Sequence, residues 1–275
     1  MRRMIKFDCK GDLLVGTLND ASGSTGLLII SGGNEIRSGA YAGQAAMAQY
    51  FADMGFSVFR YDRRGVGDSE GINVGFESSA DDIAAAVAAF RAEAPRMQKL
   101  VAFGNCDAAT ALALFHHNLA VDALVLANPW VIETASFEPD APTPPSAAAI
   151  RARYWARLKN RRSLIDLLTG KINLAKLMGG LTKAAAKDAP SALGARLADG
   201  LSASKIGVEI LIAARDTTAL AFMGVWKGSM FEQVRNRTNI QLNSFDTASH
   251  SFSDAPSRDW LYSQIADALA KLESD

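Results

Sequence analysis

The sequence predicts an α/β fold, a mostly parallel sheet with helices on both faces and an inserted helical cap. Three observations carry this. Short, uniformly apolar runs such as Gly26-Leu-Leu-Ile-Ile30 alternate with Ala-rich stretches such as Asp82-Ile-Ala-Ala-Ala-Val-Ala-Ala-Phe90, and strands alternating with helices read as crossovers in a parallel sheet. The chain has 275 residues, 49% hydrophobic and 21% charged, enough to bury a large core and outside the disordered range. The alternation breaks at Pro129 and resumes near Glu209, which marks an insertion. We therefore expect residues 1–130 and 205–275 to form the core and 131–204 the cap.

The elements follow in order. Met4 to Cys9 and Leu13 to Leu18 are alternating runs separated by Lys10-Gly11-Asp12, which is hairpin chemistry. Gly26 to Ile30 is too short and too apolar for a surface helix and reads as a strand buried on both faces. A helix over Ala40 to Met54, a strand over Ser57 to Tyr61, a helix over Ser79 to Ala94 and a strand over Lys99 to Phe103 come next. A helix over Cys106 to Asn118 and a strand over Ala123 to Ala127 follow. A Pro-rich run from Glu138 to Pro145 leads into a helical stretch, Ala147 to about Leu201, that is rich in Lys and Arg from Arg151 to Lys176. Such a run is either a ligand-facing cap or a solvated basic surface. The core resumes with a strand over Glu209 to Ala214, a helix over Ala219 to Val234, a strand over Ile240 to Phe245 and a closing helix over Pro256 to Leu272.

Composition excludes several function classes. Lys plus Arg and Asp plus Glu are 29 each, so no charge excess draws nucleic acid or an anionic membrane surface. Lys6, Asp8, Lys10 and Asp12 interrupt the first apolar run, unlike a signal peptide. No run approaches the roughly 18 apolar residues of a spanning helix. The expectation is a soluble, cytoplasmic protein without membrane insertion, its oligomeric state open. The two cysteines, Cys9 and Cys106, lack C-x-x-C or Cys/His ligand spacing, which argues against a disulfide framework or zinc site. No metal or cofactor is expected.

The sharpest chemical signal is Phe103-Gly104-Asn105-Cys106-Asp107-Ala108-Ala109, where an apolar strand meets an Ala/Leu helix. A strained strand-to-helix turn thrusts its central side chain out over the sheet and needs small residues two before and two after it. Gly104 and Ala108 meet that need. The helix N-terminus also favours a thiolate. The alternative is an inert, buried thiol. Chain order weighs against it, since this type of site supplies nucleophile, acid and histidine in that order. Asp216, after an apolar run, is the acid candidate, with a helix N-cap as its alternative role and Asp246 as a weaker candidate. His250, in a small polar loop, is the base candidate or else a solvated loop residue. His116 and His117 lie about ten residues, roughly 15 Å, down the helix from Cys106. Oxyanion donors would be the N–H groups of Asp107 and Gly33. Asn34 is a possible side-chain donor, unless Ser31-Gly32-Gly33-Asn34 is a plain turn.

Gly32-Gly33-Asn34, the run Arg60-Tyr61-Asp62-Arg63-Arg64-Gly65-Val66-Gly67-Asp68-Ser69-Glu70-Gly71, the Cys106 turn, Asn128-Pro129-Trp130-Val131 and Ser249-His250-Ser251-Phe252 together resemble the α/β-hydrolase superfamily. More narrowly, the cysteine followed by Asp, the N-P-W-V run and the chain length are similar to the exosortase A system-associated hydrolase 1 family. That resemblance implies the α/β-hydrolase fold and a setting of bacterial exopolysaccharide production and protein sorting, with no defined substrate. Asn105, often apolar in such turns, and Asn34-Glu35, where Pro is more usual, depart from the pattern.

The expected chemistry is acyl transfer through an acyl-cysteine, with His250 as base and Asp216 orienting it. A thiolate attacking an amide tends to revert, because sulfur leaves more readily than an amine. The expected substrate is therefore a small-molecule ester or thioester rather than a peptide. An acyltransferase on the same residues, or a non-catalytic ligand-binding or redox-sensing protein, are the alternatives.

Overall fold

The computed structural model describes residues 1–132 and 192–273. Most of the expected cap, 133–191, lies outside the described residues, and with it the basic run that includes Arg151, Arg153 and Arg157. Eight described strands form one sheet: β1 (Arg2–Cys9), β2 (Asp12–Asn19), β3 (Thr25–Ile30), β4 (Ser57–Tyr61), β5 (Lys99–Asn105), β6 (Ala123–Ala127), β7 (Gly207–Ala213) and β8 (Ile240–Phe245). Their order is β1-β2-β4-β3-β5-β6-β7-β8. The β1–β2 and β2–β4 pairs are antiparallel and every pair from β4 onward is parallel. This is the α/β-hydrolase fold that the sequence predicts.

The residue types explain the layering. β3, β4 and β6 are buried at every position, which the double-sided cover of a parallel sheet demands. On one face lie α2 (Ala80–Glu93) and α3 (Asp107–Phe115), whose Ile83, Phe90, Ala109 and Leu112 join a core with Leu28, Leu100 and Leu124. On the other lie α1 (Gly43–Asp53) and the long C-terminal helix over Ala255–Glu273, where Phe51, Ile265 and Leu269 meet Leu27, Val58 and Val101. Each fully buried Leu or Ile contributes about 2 kcal/mol.

The helix α4 (Ala192–Ala203) falls within the stretch read from sequence as cap, yet it seats on the core. Leu193, Leu197 and Leu201 recur every fourth residue and are buried, forming one apolar stripe. The approach to α3 is close: a Cβ on Gly200 would lie 2.6 Å from the Ala113 carbonyl oxygen. The single helix expected over Ala219 to Val234 is two, α5 (Thr217–Trp226) and α6 (Glu232–Arg235), joined by a 3₁₀ turn over Ser229–Phe231. Gly228 follows directly after the α5 C-cap, Lys227, and its N–H turns back to the Val225 carbonyl at 3.0 Å. Phe231 thereby reaches Phe222 and Trp226. The C-terminal helix is α7. Among the described residues no helix is long and apolar enough to cross a membrane.

Candidate active site

The parallel strands β5, β7 and β8 all deliver their C-terminal ends to one edge of the sheet, and the loops there carry Cys106, Asp216 and His250. Ligand sites in open α/β sheets form at this edge.

Cys106 stands between β5 and α3 with φ 61° and ψ −126°. A non-glycine residue seldom adopts such a positive φ, and strained positions of this kind cluster at functional sites. Neighbours make the turn possible. A Cβ on Gly104 would lie 2.7 Å from the Ala108 carbonyl carbon, and one on Gly32 2.6 Å from Asp107 Oδ1. The Cys106 N–H donates to the Ala127 carbonyl at 2.9 Å, and its own carbonyl accepts from the Trp130 N–H at 3.3 Å. The turn is thus tied to the end of β6. Cys106 itself is half-buried.

Asp216 ends the β7 loop and caps α5, its Oδ2 accepting the Ala219 N–H at 3.0 Å. The same oxygen accepts from His250 Nδ1 at 3.0 Å. Asp216 therefore caps α5 and bonds the His250 ring at once. Burial raises its pKa, but the hydrogen bonds from His250 and Ala219 outweigh burial and leave the carboxyl below its ordinary value. His250 is pushed up to about 10, first by the hydrogen bond to Asp216 and then by one with the Cys106 thiol, against the lowering effect of burial. With Nδ1 engaged by a carboxylate, Nε2 is the nitrogen left for the thiol. The structure thus brings the three candidates together. Asp246 instead pairs with Arg215 at the surface, at 2.8 Å. His116 and His117 face α4, bonding Ser204 Oγ and the Gly200 carbonyl, each at 3.0 Å.

The expected oxyanion donors meet differing fates. Asp107 is the first residue of α3, so its N–H has no intrahelical acceptor. The Gly33 N–H is engaged: it donates to Asp107 Oδ1 at 2.7 Å. Arg63 grips the Gly33 carbonyl from the other side. Asn34 is also engaged elsewhere, its Oδ1 accepting from Asn73 Nδ2 at 2.8 Å, and it is absent from the wall of the cavity described next. A short polar side chain in a loop takes whichever donor lies nearest, which for Asn34 is Asn73.

A cavity of about 360 Å³ opens beside Cys106 and His250, between the starts of α1 and α7. Met47, Phe103, Phe252 and Leu261 supply an apolar lining, while Glu35 and Arg258 add charge. Burial raises the pKa of Glu35, and Asp107 raises it further, while the proximity of His250 lowers it. Among the described residues no cluster of three or more His, Cys, Asp or Glu could hold a metal ion.

Sequence reasoning missed the part played by Asn128. It is fully buried, with φ 43°, and reaches the His250 backbone carbonyl at 2.9 Å, as Asn105 does at 3.2 Å. The available signal was Asn-Pro after a buried strand, since Asn tolerates a left-handed turn.

Solved structures share this architecture. An esterase from Pyrococcus furiosus aligns over 98% of this chain and 91% of its own, at 14% identity and a TM-score of 0.66. Proline iminopeptidase from Mycobacterium smegmatis aligns over 99% and 100%, at 12% and 0.62. The thioesterase domain from a curacin biosynthetic pathway aligns over 97% and 99%, at 14% and 0.57. No curated protein matches the chain. The family described as serine aminopeptidase, S33, matches residues 24–200, well over half of the sequence. That span contains the Gly32-Gly33 loop, the Asp62 to Ser69 turn and the Cys106 elbow, with a cysteine at the elbow of a family named for serine. The chain belongs to the serine aminopeptidase S33 family of hydrolases, within the α/β-hydrolase superfamily.

Proposed function

We propose that the protein is an acyl hydrolase that cleaves a small-molecule ester or thioester through an acyl-cysteine intermediate on Cys106. One observation carries the reading: Cys106 sits at the positive-φ apex of the elbow beside a histidine whose Nδ1 is held 3.0 Å from a buried Asp216 carboxylate. The geometry matches what an activated nucleophile requires, a base at the nucleophile and a third group orienting the base.

In this mechanism the Cys106 proton already resides on His250 Nε2, in line with the raised basicity of that imidazole, and the thiolate attacks the acyl carbon. The oxyanion is received by the Asp107 N–H, joined by the Gly33 N–H once the Asp107 carboxylate turns away. The imidazolium then protonates the leaving alcohol or thiol, and Cys106 keeps the acyl group. His250 next deprotonates a water, which attacks the acyl carbon and releases the acid and the thiolate. The cavity, near the lower end of the usual ligand-pocket range, suits a small, largely apolar acyl group. The names of two fold neighbours, an esterase and a thioesterase, support this substrate class. A cytoplasmic setting rests on the charged residues that interrupt the first apolar run, and a role beside exosortase and exopolysaccharide systems on the sequence resemblance alone.

The test is iodoacetamide labelling of Cys106 at neutral pH, alongside hydrolysis of p-nitrophenyl butyrate, in wild type and His250→Ala. We expect both rates to fall at least about 100-fold in the variant, the low end of a positioned base's contribution. Labelling that is unchanged in His250→Ala would mean an exposed thiol without a catalytic base.

A further inference from the structure

We propose that Asn128 is the positioning residue that holds the His250 loop, the elbow and the Asp216 strand in register. The inference rests on the triad reading above and concerns how that triad is kept assembled. Three bonds from one side-chain amide carry it. Asn128 Oδ1 accepts the Ala213 N–H at 2.8 Å; Ala213 ends β7, three residues before Asp216. Asn128 Nδ2 donates to the His250 carbonyl at 2.9 Å and to Asn105 Oδ1 at 3.2 Å; Asn105 precedes Cys106. Asn105 Nδ2 also donates to the His250 carbonyl, at 3.2 Å. The backbone joins in, since the Asn128 N–H donates to the Leu211 carbonyl at 2.9 Å.

β6 lies between β5 and β7, so a side chain at its C-terminal end can reach both neighbours and the loop beyond β8. An amide suits this place because it offers two donors and an acceptor without charge. A hydroxyl, with one donor, could accept from Ala213 and donate to His250 but would leave no second donor for Asn105. The position is wholly buried, where hydrogen bonds hold geometry firmly and a lost partner is costly. Its left-handed backbone, φ 43°, turns the side chain back across the strand ends, and Asn bears that conformation better than most residues. The same contacts account for Asn105, a polar residue where such elbows are often apolar: its amide is the second donor to the His250 carbonyl.

Asn128→Gly removes the amide without adding backbone strain, because glycine adopts a positive φ freely. Asn105→Ala removes the second donor and leaves Asn128 in place. With p-nitrophenyl butyrate as substrate, the expected result for Asn128→Gly is a kcat lower by about 100-fold with KM within about twofold, the signature of a displaced catalytic group. Asn105→Ala is expected to show a smaller loss, about tenfold, with the same split. Iodoacetamide labelling of Cys106 should lose most of its dependence on His250 in Asn128→Gly. If that variant does not fold, Asn105→Ala decides the matter by the same kcat and KM split. A folded Asn128→Gly with wild-type kcat, or a loss confined to KM, overturns the inference while the triad stands. Wild-type labelling that does not depend on His250 overturns the triad reading instead.

Discussion

The chain's two cysteines both lie at C-terminal strand ends on the same edge of the sheet. Cys9 closes β1 and Cys106 follows β5, with three strands between them, roughly 19 Å at the usual strand spacing. Their neighbours set them apart. Cys9 is 3% exposed, and its thiol donates to Asp82 Oδ1 at 3.5 Å. Burial first and the Asp82 charge second push its pKa up to about 11. Cys106 is half-buried in a cavity wall, beside an imidazole that can take its proton. A thiolate at Cys9 would meet carboxylates; one at Cys106 would meet His250. The comparison teaches that what a thiol meets here is set by its loop end and not by the residue type.

The largest predicted effect follows directly. Cys106→Ala should lower p-nitrophenyl butyrate hydrolysis by at least about 10⁴-fold, whereas Cys9→Ala should leave kcat within about twofold. Equal losses in both variants, with both folded, would erase the distinction. Next in size is the elbow. Gly104→Val places a branched side chain against the Ala108 backbone, and we expect a loss of about 3 kcal/mol in urea unfolding, together with loss of His250-dependent labelling. An undisturbed variant would show that the turn does not need its small neighbour. At the other end of the comparison, Asp82→Asn removes the charge that pairs with Arg64 and faces Cys9, while keeping an amide oxygen that can accept. We expect about 2 kcal/mol, below the roughly 3–5 of a fully buried pair because Arg64 stays partly in water. Hydrolysis should not change, so a fall in kcat would connect the two regions.

These contrasts also mark what was legible in the sequence. The strands over Ser57–Tyr61 and Ala123–Ala127 coincide with their expected limits, because a fully buried run leaves little freedom in its ends; Ile240–Phe245, a mixed apolar and polar edge strand, coincides as well. The elbow was legible from Gly104 and Ala108, a local steric requirement. The engagement of Gly33 was not: its N–H meets a carboxylate 74 residues away, and no local pattern records which acceptor a folded loop will find. Asn128 was hidden for the same reason, since its partners Asn105, Ala213 and His250 come from three other segments. Helical periodicity is alike in a cap and in a core helix, so it does not tell where α4 packs. Only the Leu193, Leu197 and Leu201 stripe against α3 shows that α4 packs on the core.

The smallest predicted effect sharpens the comparison through pH. His250 has a folded pKa of about 10, above its ordinary 6.5. Its contribution to stability is therefore full below about pH 6.5 and is lost as pH rises through about 10. Asp216 is lowered from its ordinary 3.8, so its contribution is present above that value and is lost as pH falls through the folded value. Glu35 and Cys106 also face the imidazole. The stability gap between wild type and Asp216→Asn should thus be widest between about pH 4 and 6.5 and close towards pH 10. Its size should stay under about 1 kcal/mol, because the His250 side chain is 39% exposed and solvent screens the pair. Cys9 also costs stability as pH rises, but later. A thiol raised from 9.0 to about 11 destabilises the fold only once the unfolded chain begins to lose that proton, so wild type should lose stability relative to Cys9→Ala only above about pH 9. Urea unfolding of the three proteins at pH 5, 7.5 and 10 reads both trends. A flat Asp216→Asn gap would mean that the His250–Asp216 bond does not govern this titration, and a Cys9→Ala comparison unchanged between pH 7.5 and 10 would mean that Cys9 ionises as readily as a free thiol.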